Sequence, residues 1–284
     1  MNRIQEFIDF MDERHTIYLQ RQQGVPAPWT RDQALQRIYL TNVYRELDKV
    51  TIWVRDNIRD PYEDHENLWL MLVVARIINV RETLHDLIMA GAMPGDEWHP
   101  RKFEDVLADR MRAGLPTFTN AYMTWGGSEK GRPKGDLFSE MVSHLWDYRE
   151  AIEPYLWHTL QDAHKTLVPQ PGLGGFIAYE VVTDLRHTLY LRNAPDIMTW
   201  AHAGPGAQRG LNWVYGREPV ERTVPRQQGL DEMRELLQVA TEQWPHQPRL
   251  EMREIEHSLC EFSKVCAYRY HGKRPKRWYT KGVG

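Results

Sequence analysis

Apolar residues recur at helical spacing along nearly the whole of this chain, and no stretch alternates apolar and polar residues as a sheet strand would. That periodicity confines the fold to an all-α architecture. Over 2–22, Ile4, Phe7, Ile8, Met11, His15, Tyr18 and Leu19 share one side, and the breaker at 24–28 ends the pattern. Thr30 resembles an N-cap for a helical region over 31–59, bounded by Pro61, and 68–89, rich in Leu, Val and Ile, reads as one central helix. Loops are expected at 90–100 and 125–135, with helical pattern returning over 137–167, 176–191, 230–244 and 250–268.

A chain of 284 residues, 42% hydrophobic, can bury a sizeable core, and a single helical domain over 1–284 is the expectation. No apolar run approaches the roughly 18–20 residues of a membrane span. The N-terminus carries acids where a secretory signal carries bases, so no membrane partner and a reducing cytoplasm are expected. Cys260 and Cys266 would face different sides of a helix, and neither a C-x-x-C nor an H-E-x-x-H spacing occurs. Neither a disulfide, a metal nor a cofactor is expected.

The net charge of -3 hides an uneven distribution. After Glu261 no acid appears, while Lys264, Arg269, Lys273, Arg274, Lys276, Arg277 and Lys281 follow, interleaved with Tyr268, Tyr270, Trp278 and Tyr279. This basic tail, 264–284, has cations for phosphates and rings for stacking, or is a solvated charge run.

Over 155–191 a helix, a Pro-Gly-x-Gly hairpin and a second helix follow one another. Gly172, Gly174 and Gly175 carry no side chains, so backbone N–H groups opening the second helix can approach a phosphate; the same glycines would serve an ordinary tight turn. TNVYRELDKV at 41–50 reads as helical, with Asn42, Arg45, Glu46 and Lys49 on one face and Val43, Leu47 and Val50 on another. Glu254, His257, Glu261 and Lys264 form a comparable stripe. Either polar face lines a pocket or is solvated. Asp184 reads as a partner of Arg186 or a cap.

LVPQPGLGGFIAYEVVTDL resembles the hairpin of the helix-hairpin-helix DNA glycosylases, which implies a glycosylase-like helical fold and sets Asp196 near that family's catalytic aspartate. Phe176 stands where lyase-type members carry a lysine, which excludes Schiff-base chemistry there. A wider resemblance covers PWTRD at 28–32, TNVYRELDKVTIW at 41–53, GLGGFIAYEVVTDL at 172–185, TWAHAGPGAQRGL at 199–211 and IEHSLCEFSKV at 255–265. Together these resemble the bacteriophage thymine-hypermodification proteins. That group includes the helical domain of 5-hydroxymethyluracil DNA kinases and the α-glutamyl/putrescinyl thymine pyrophosphorylases, which are amine:DNA transferases. No G-x-x-x-x-G-K-[ST] motif is present, which favours the transferase branch.

The resemblance implies replacement of the pyrophosphate of 5-pyrophosphoryloxymethyl-deoxyuridine in DNA by an amine, from putrescine or an amino acid such as glycine, in the cytoplasm of an infected bacterium. Such chemistry needs cations at the leaving group, with Arg45, Arg209 and Lys264 as candidates, and a proton acceptor, with Asp196, Glu46 and His257 as candidates. Asn42 would line the pocket and Trp200 would stack near a flipped base. DNA contacts would come from Gly172, Gly174, Gly175, Arg274, Lys276 and Arg277. The competing readings are a helix-hairpin-helix glycosylase using Asp196 and a non-catalytic DNA-binding module that partners a hydroxymethyluracil DNA kinase.

Overall fold

The computed structural model describes residues 3–119, 131–244, 248–274 and 278. Among these there are helices and loops and no strand, with one isolated antiparallel bridge between Ile38 and Trp278. None of the described helices is long and apolar enough to cross a membrane. The chain gathers into two compact units: Met1–Asp48 with Ile197–Gly284, and Lys49–Asp196. The first unit begins with α1 (Ile4–Gln22) and α2 (Gln33–Arg37). The second holds α3 (Lys49–Val54), α4 (Leu68–Ile78), α5 (Arg81–Met89), α6 (Pro100–Arg112), α7 (Lys134–Asp147), α8 (Arg149–Ile152), α9 (Leu160–Leu167) and α10 (Gly174–Leu185). The first unit is completed by α11 (Pro205–Val214), α12 (Arg226–Gln243) and α13 (Met252–His271).

In the first unit α1 buries Phe7, Ile8, Phe10 and Met11, and Phe7 and Phe10 pack on Phe262 of α13 with ring centroids 5.4 and 5.3 Å apart. Asp32, not Thr30, caps α2 by accepting from the backbone N–H of Ala34 and Leu35. The helix expected across 41–50 does not form. Asn42 spends its amide on the Leu47 carbonyl and the Asp48 carboxylate, both 2.9 Å away, and its N–H also reaches Asp48. These local bonds compete with a helical ladder and leave only a 3-10 turn at Arg45–Leu47. Asn42, Arg45 and Glu46 therefore do not share a helical face.

α11 carries the glycines of GPGAQRG, in a stretch outside those read as helical from the sequence. A Cβ on Gly206 would stand 2.6 Å from Cys260 Sγ, and one on Gly210 would meet the backbone carbonyl of Leu259 inside van der Waals contact. The two glycines, one helical turn apart, let α11 lie directly on the backbone of α13. α13 opens on a capping box between Glu251 and Glu254 and stops at Gly272, in the left-handed region with φ 62°. It consequently absorbs the start of the expected basic tail. Lys264 pairs with Glu261, and Arg269 with Glu6 and Asp32; Lys273, just past the helix, pairs with Glu221. Lys276 and Arg277 lie outside the described residues, as does most of the 125–135 loop.

In the second unit the helix expected over 68–89 breaks at Asn79, whose left-handed backbone (φ 48°) turns the chain between α4 and α5. All of α4 is buried, including Arg76. Its guanidinium is gripped at two nitrogens by Asp184 of α10, so Asp184 serves neither Arg186 nor a helix cap. Between α9 and α10 the chain makes a tight turn, with Gly172 and Gly174 at φ 75° and 54°.

Candidate functional site

α13 presents Arg253, His257, Glu261 and Lys264 along one face. Within the first unit α1 and the irregular 41–48 segment bring further polar groups to it. Arg14 of α1 donates twice to the Thr41 carbonyl, at 3.1 and 2.7 Å, and to Ser258 Oγ at 3.3 Å. Thr41 Oγ1 lies 2.7 Å from His257 Nε2. Arg253 sits 3.7 Å from Glu46 and 3.4 Å from Glu254. Glu254 accepts the backbone N–H of Glu251 at 3.0 Å.

Burying so many charges costs stability unless they are mutually satisfied, so a concentration of them on one helix face marks a place where function sets the composition. Burial, reinforced by the charges of Arg45, Arg14, Arg253 and Lys264, holds the His257 imidazole well below its ordinary range, and it is neutral at pH 7. Burial also raises the Asp48 carboxyl, against the opposing pull of the Asn42 N–H, Arg45 and Arg14. Glu254 is pushed up by burial to about 7, with Arg253 opposing the rise. Cys260 is driven well above the usual thiol range by burial and by Glu256 and Glu261, which leaves it protonated and unreactive. Lys264 and Arg209 oppose that rise, which places both cations in the same neighbourhood. Among the described residues Glu261 Oε2 is buried and accepts no hydrogen bond, although Oε1 is 2.6 Å from Lys264 Nζ.

Of the residues singled out from sequence, Asn42, Arg45, Glu46, His257, Lys264 and Arg209 all fall within the first unit. Asn42 is occupied in shaping its own turn, while Arg209 is half-buried on α11 and donates no hydrogen bond among the described residues. Trp200 belongs to the same unit and is 4% exposed, in the packed interior rather than on an open wall. Arg274 follows the end of α13 and is exposed. No group of three or more His, Cys, Asp or Glu side chains suited to a metal occurs among the described residues.

Arg14, Thr41, Asp48 and Arg253 join this layer without having been singled out. Arg14 falls three residues after Met11 on the buried stripe of α1, a cation where the pattern calls for an apolar side chain. Arg253 stands one turn before His257 on the stripe already recognised.

Asp196 belongs to the second unit. Its two carboxylate oxygens accept the backbone N–H groups of Leu160 and Gln161, at 2.9 and 3.0 Å, at the start of α9. A carboxylate so placed satisfies two unpaired donors and complements the helix dipole. Asp196→Ala is expected to cost about 1–2 kcal/mol of stability, the scale of a lost helix cap. Urea unfolding measures it; a variant as stable as the parent would remove this structural role.

The family described as 5-hmdU DNA kinase, helical domain, matches residues 1–273. A 5-hmdU DNA kinase of Bacillus phage SP10 is 27% identical over 232 residues, covering 74% of this chain. The chain spans only about a third, 35%, of that relative's length. No solved structure matches.

Proposed function

Because this chain belongs to the family of 5-hmdU DNA kinase helical domains, we propose that it acts on thymine-derived bases in bacteriophage DNA, replacing the pyrophosphate of 5-pyrophosphoryloxymethyl-deoxyuridine with an amine. The family match covers residues of both compact units, and the reading keeps the expected hairpin at 172–175 as its DNA-facing element. The observation that carries the reaction class is the buried polar layer around His257, where a neutral imidazole stands among four cations.

In the proposed transfer the nitrogen of a small amine or amino acid attacks the C5-methylene carbon. The carbon–oxygen bond breaks, its electrons leave with pyrophosphate, and the surplus proton of the amine passes to a base. Arg45, Arg209 and Lys264 supply positive charge toward the departing anion. Burial and, after it, the charges of Arg45, Arg14, Arg253 and Lys264 make His257 a weak base. A bound pyrophosphoryl group would offset those charges and raise its basicity, so His257 would gain proton-accepting power when substrate arrives. Glu46, in the same unit, is the carboxylate alternative; Asp196 belongs to the second unit, where it holds the start of α9, and is given no step in the transfer. Asn42 is assigned to the shape of the pocket, and Trp200 to the packed wall behind the flipped base. The backbone at Gly172, Gly174 and Gly175, with Arg274, Lys276 and Arg277, is assigned to DNA phosphates.

A second reading, a helical module that serves kinase chemistry without catalysing a step itself, is favoured by the third of the kinase relative that the chain spans. One experiment separates the readings. The protein is incubated with DNA bearing pyrophosphorylated 5-hydroxymethyluracil and a pool of amines, and the DNA is digested to nucleosides for mass analysis. The transfer predicts a nucleoside whose mass has gained an amine and lost pyrophosphate. Abasic sites would make the protein a glycosylase, and unchanged nucleosides would make it the module.

A further inference from the structure

Glu261 lies on the same face of α13 as His257 and Lys264, one turn from each, and the transfer as written gives it no role. Its side chain keeps 4% of its exposure, while that of Lys264 keeps 50%. The ion pair between them, with Glu261 Oε1 2.6 Å from Lys264 Nζ, therefore runs from the interior of the first unit to its surface. Arg14 does not complete the carboxylate. Burial pulls its guanidinium down to about 10 and the charges of Glu261 and Asp48 oppose that fall, which places Glu261 near it. Nε, Nη1 and Nη2 of Arg14 nevertheless all donate elsewhere, to the Thr41 carbonyl and to Ser258 Oγ. Glu261 Oε2 is thus left buried with no donor among the described residues. Such an atom costs free energy comparable with a lost hydrogen bond, and proteins keep few of them.

An ionised carboxylate can only accept, so what fits Oε2 is a donor on a ligand. That donor must also sit beside an acceptor, because Lys264 stands against the other carboxylate oxygen. A uracil-type ring has this order along one edge, where the N3–H donor lies between the O2 and O4 acceptors. Cytosine has a bare N3 and an amino donor at C4, which would set a lone pair against Oε2 and an N–H against the ammonium. We propose that Glu261 determines which base the site takes, its Oε2 accepting the N3–H of a flipped uracil-type ring while Lys264 donates to O4. C5 adjoins C4 on the ring, so an ammonium at O4 also faces the C5-methylene substituent, where the transfer needs positive charge. This assignment rests on the reading that a thymine-derived base enters the first unit.

The test measures binding alone, with the full chain and no amine. Single-stranded oligonucleotides of adenine carry one 5-hydroxymethyluracil, its N3-methylated form or 5-hydroxymethylcytosine, and fluorescence anisotropy gives the three dissociation constants. The parent is expected to bind 5-hydroxymethyluracil about tenfold or more tightly than the other two, the scale on which a well-made base-edge contact discriminates. Glu261→Gln keeps the shape of the side chain, but its amide can turn either a donor or an acceptor to the base. That variant should bind the three oligonucleotides within about threefold of one another. Lys264 can turn to water, so the variant should keep its helical circular dichroism. Equal affinity of the parent for 5-hydroxymethyluracil and either of the other bases overturns the proposal whatever the variant does. So does a folded Glu261→Gln that retains the parent's preference, or a parent that binds none of the three. No turnover enters the measurement. A protein that shows the preference and transfers no amine loses the transfer and keeps Glu261 as the reader of the base, and one that transfers an amine without the preference loses only the reader.

Discussion

Asp184→Ala is expected to lower the stability of the second unit by about 3–5 kcal/mol, the scale of one partner removed from a buried ion pair. Arg76 and Asp184 each retain about 1% of their side-chain exposure, so the guanidinium left behind could not recover water. Thr51 Oγ1, 3.5 Å from Arg76 Nη2, is too distant to compensate. Such a loss is a large part of the stability of a typical domain, and the variant should melt far below the parent or fail to fold. The companion measurement is a double variant, Arg76→Met with Asp184→Leu, which removes both charges and keeps comparable volume. It should recover most of the loss, because the penalty belongs to the unpaired charge and not to the absence of the pair. If Asp184→Ala unfolds at the same urea concentration as the parent, the pair does not anchor α4 to α10.

Gly210→Val should destabilise the first unit by about 3 kcal/mol or more, through overpacking that no rotamer can relieve. Helix propensity alone predicts the reverse for Gly210→Ala, a gain of about 1 kcal/mol over glycine in a helix interior. The geometry decides against that gain. The nearest neighbour of an added Cβ is the backbone carbonyl of Leu259, which cannot rotate aside as a side chain could. Both substitutions are therefore expected to lower the urea midpoint, valine more than alanine, and trimming Leu259 to alanine should not rescue either. A stabilised Gly210→Ala would show that α11 and α13 are further apart than they stand here.

These two cases also mark what could and could not be read from the amino-acid order. Helical periodicity made the all-α class legible, along with the α1 stripe, the hairpin glycines and the polar face of α13 with Glu254, His257, Glu261 and Lys264. Periodicity reports local repetition, however, and α11 exists because of a distant surface. Its glycines weaken a helix by local standards and are required by contact with α13. TNVYRELDKV failed in the opposite direction. Its polar residues scan as a helical face, yet the Asn42 amide finds better partners in Leu47 and Asp48. The residues of the candidate site were largely legible because their neighbours in sequence share its polarity. Arg14, by contrast, sits among apolar residues on α1, and its polar partners come from another part of the chain. Asp184 looked like a local partner of Arg186 because the cation it serves, Arg76, is far away in sequence.

The division of the chain into a continuous unit and an interrupted one has a temporal consequence. Residues 49–196 form a compact unit from a single uninterrupted stretch, so that unit has all of its sequence before α11 has been made. The other unit cannot close until α13 has been synthesised, because α1 finds its phenylalanine partner there and Arg14 finds Ser258. Contacts of such long sequence separation form late and slowly. During synthesis, α1 and the segment carrying Arg45 and Glu46 therefore wait with their apolar stripe and charges unpaired, while the unit that follows them in sequence is already free to fold.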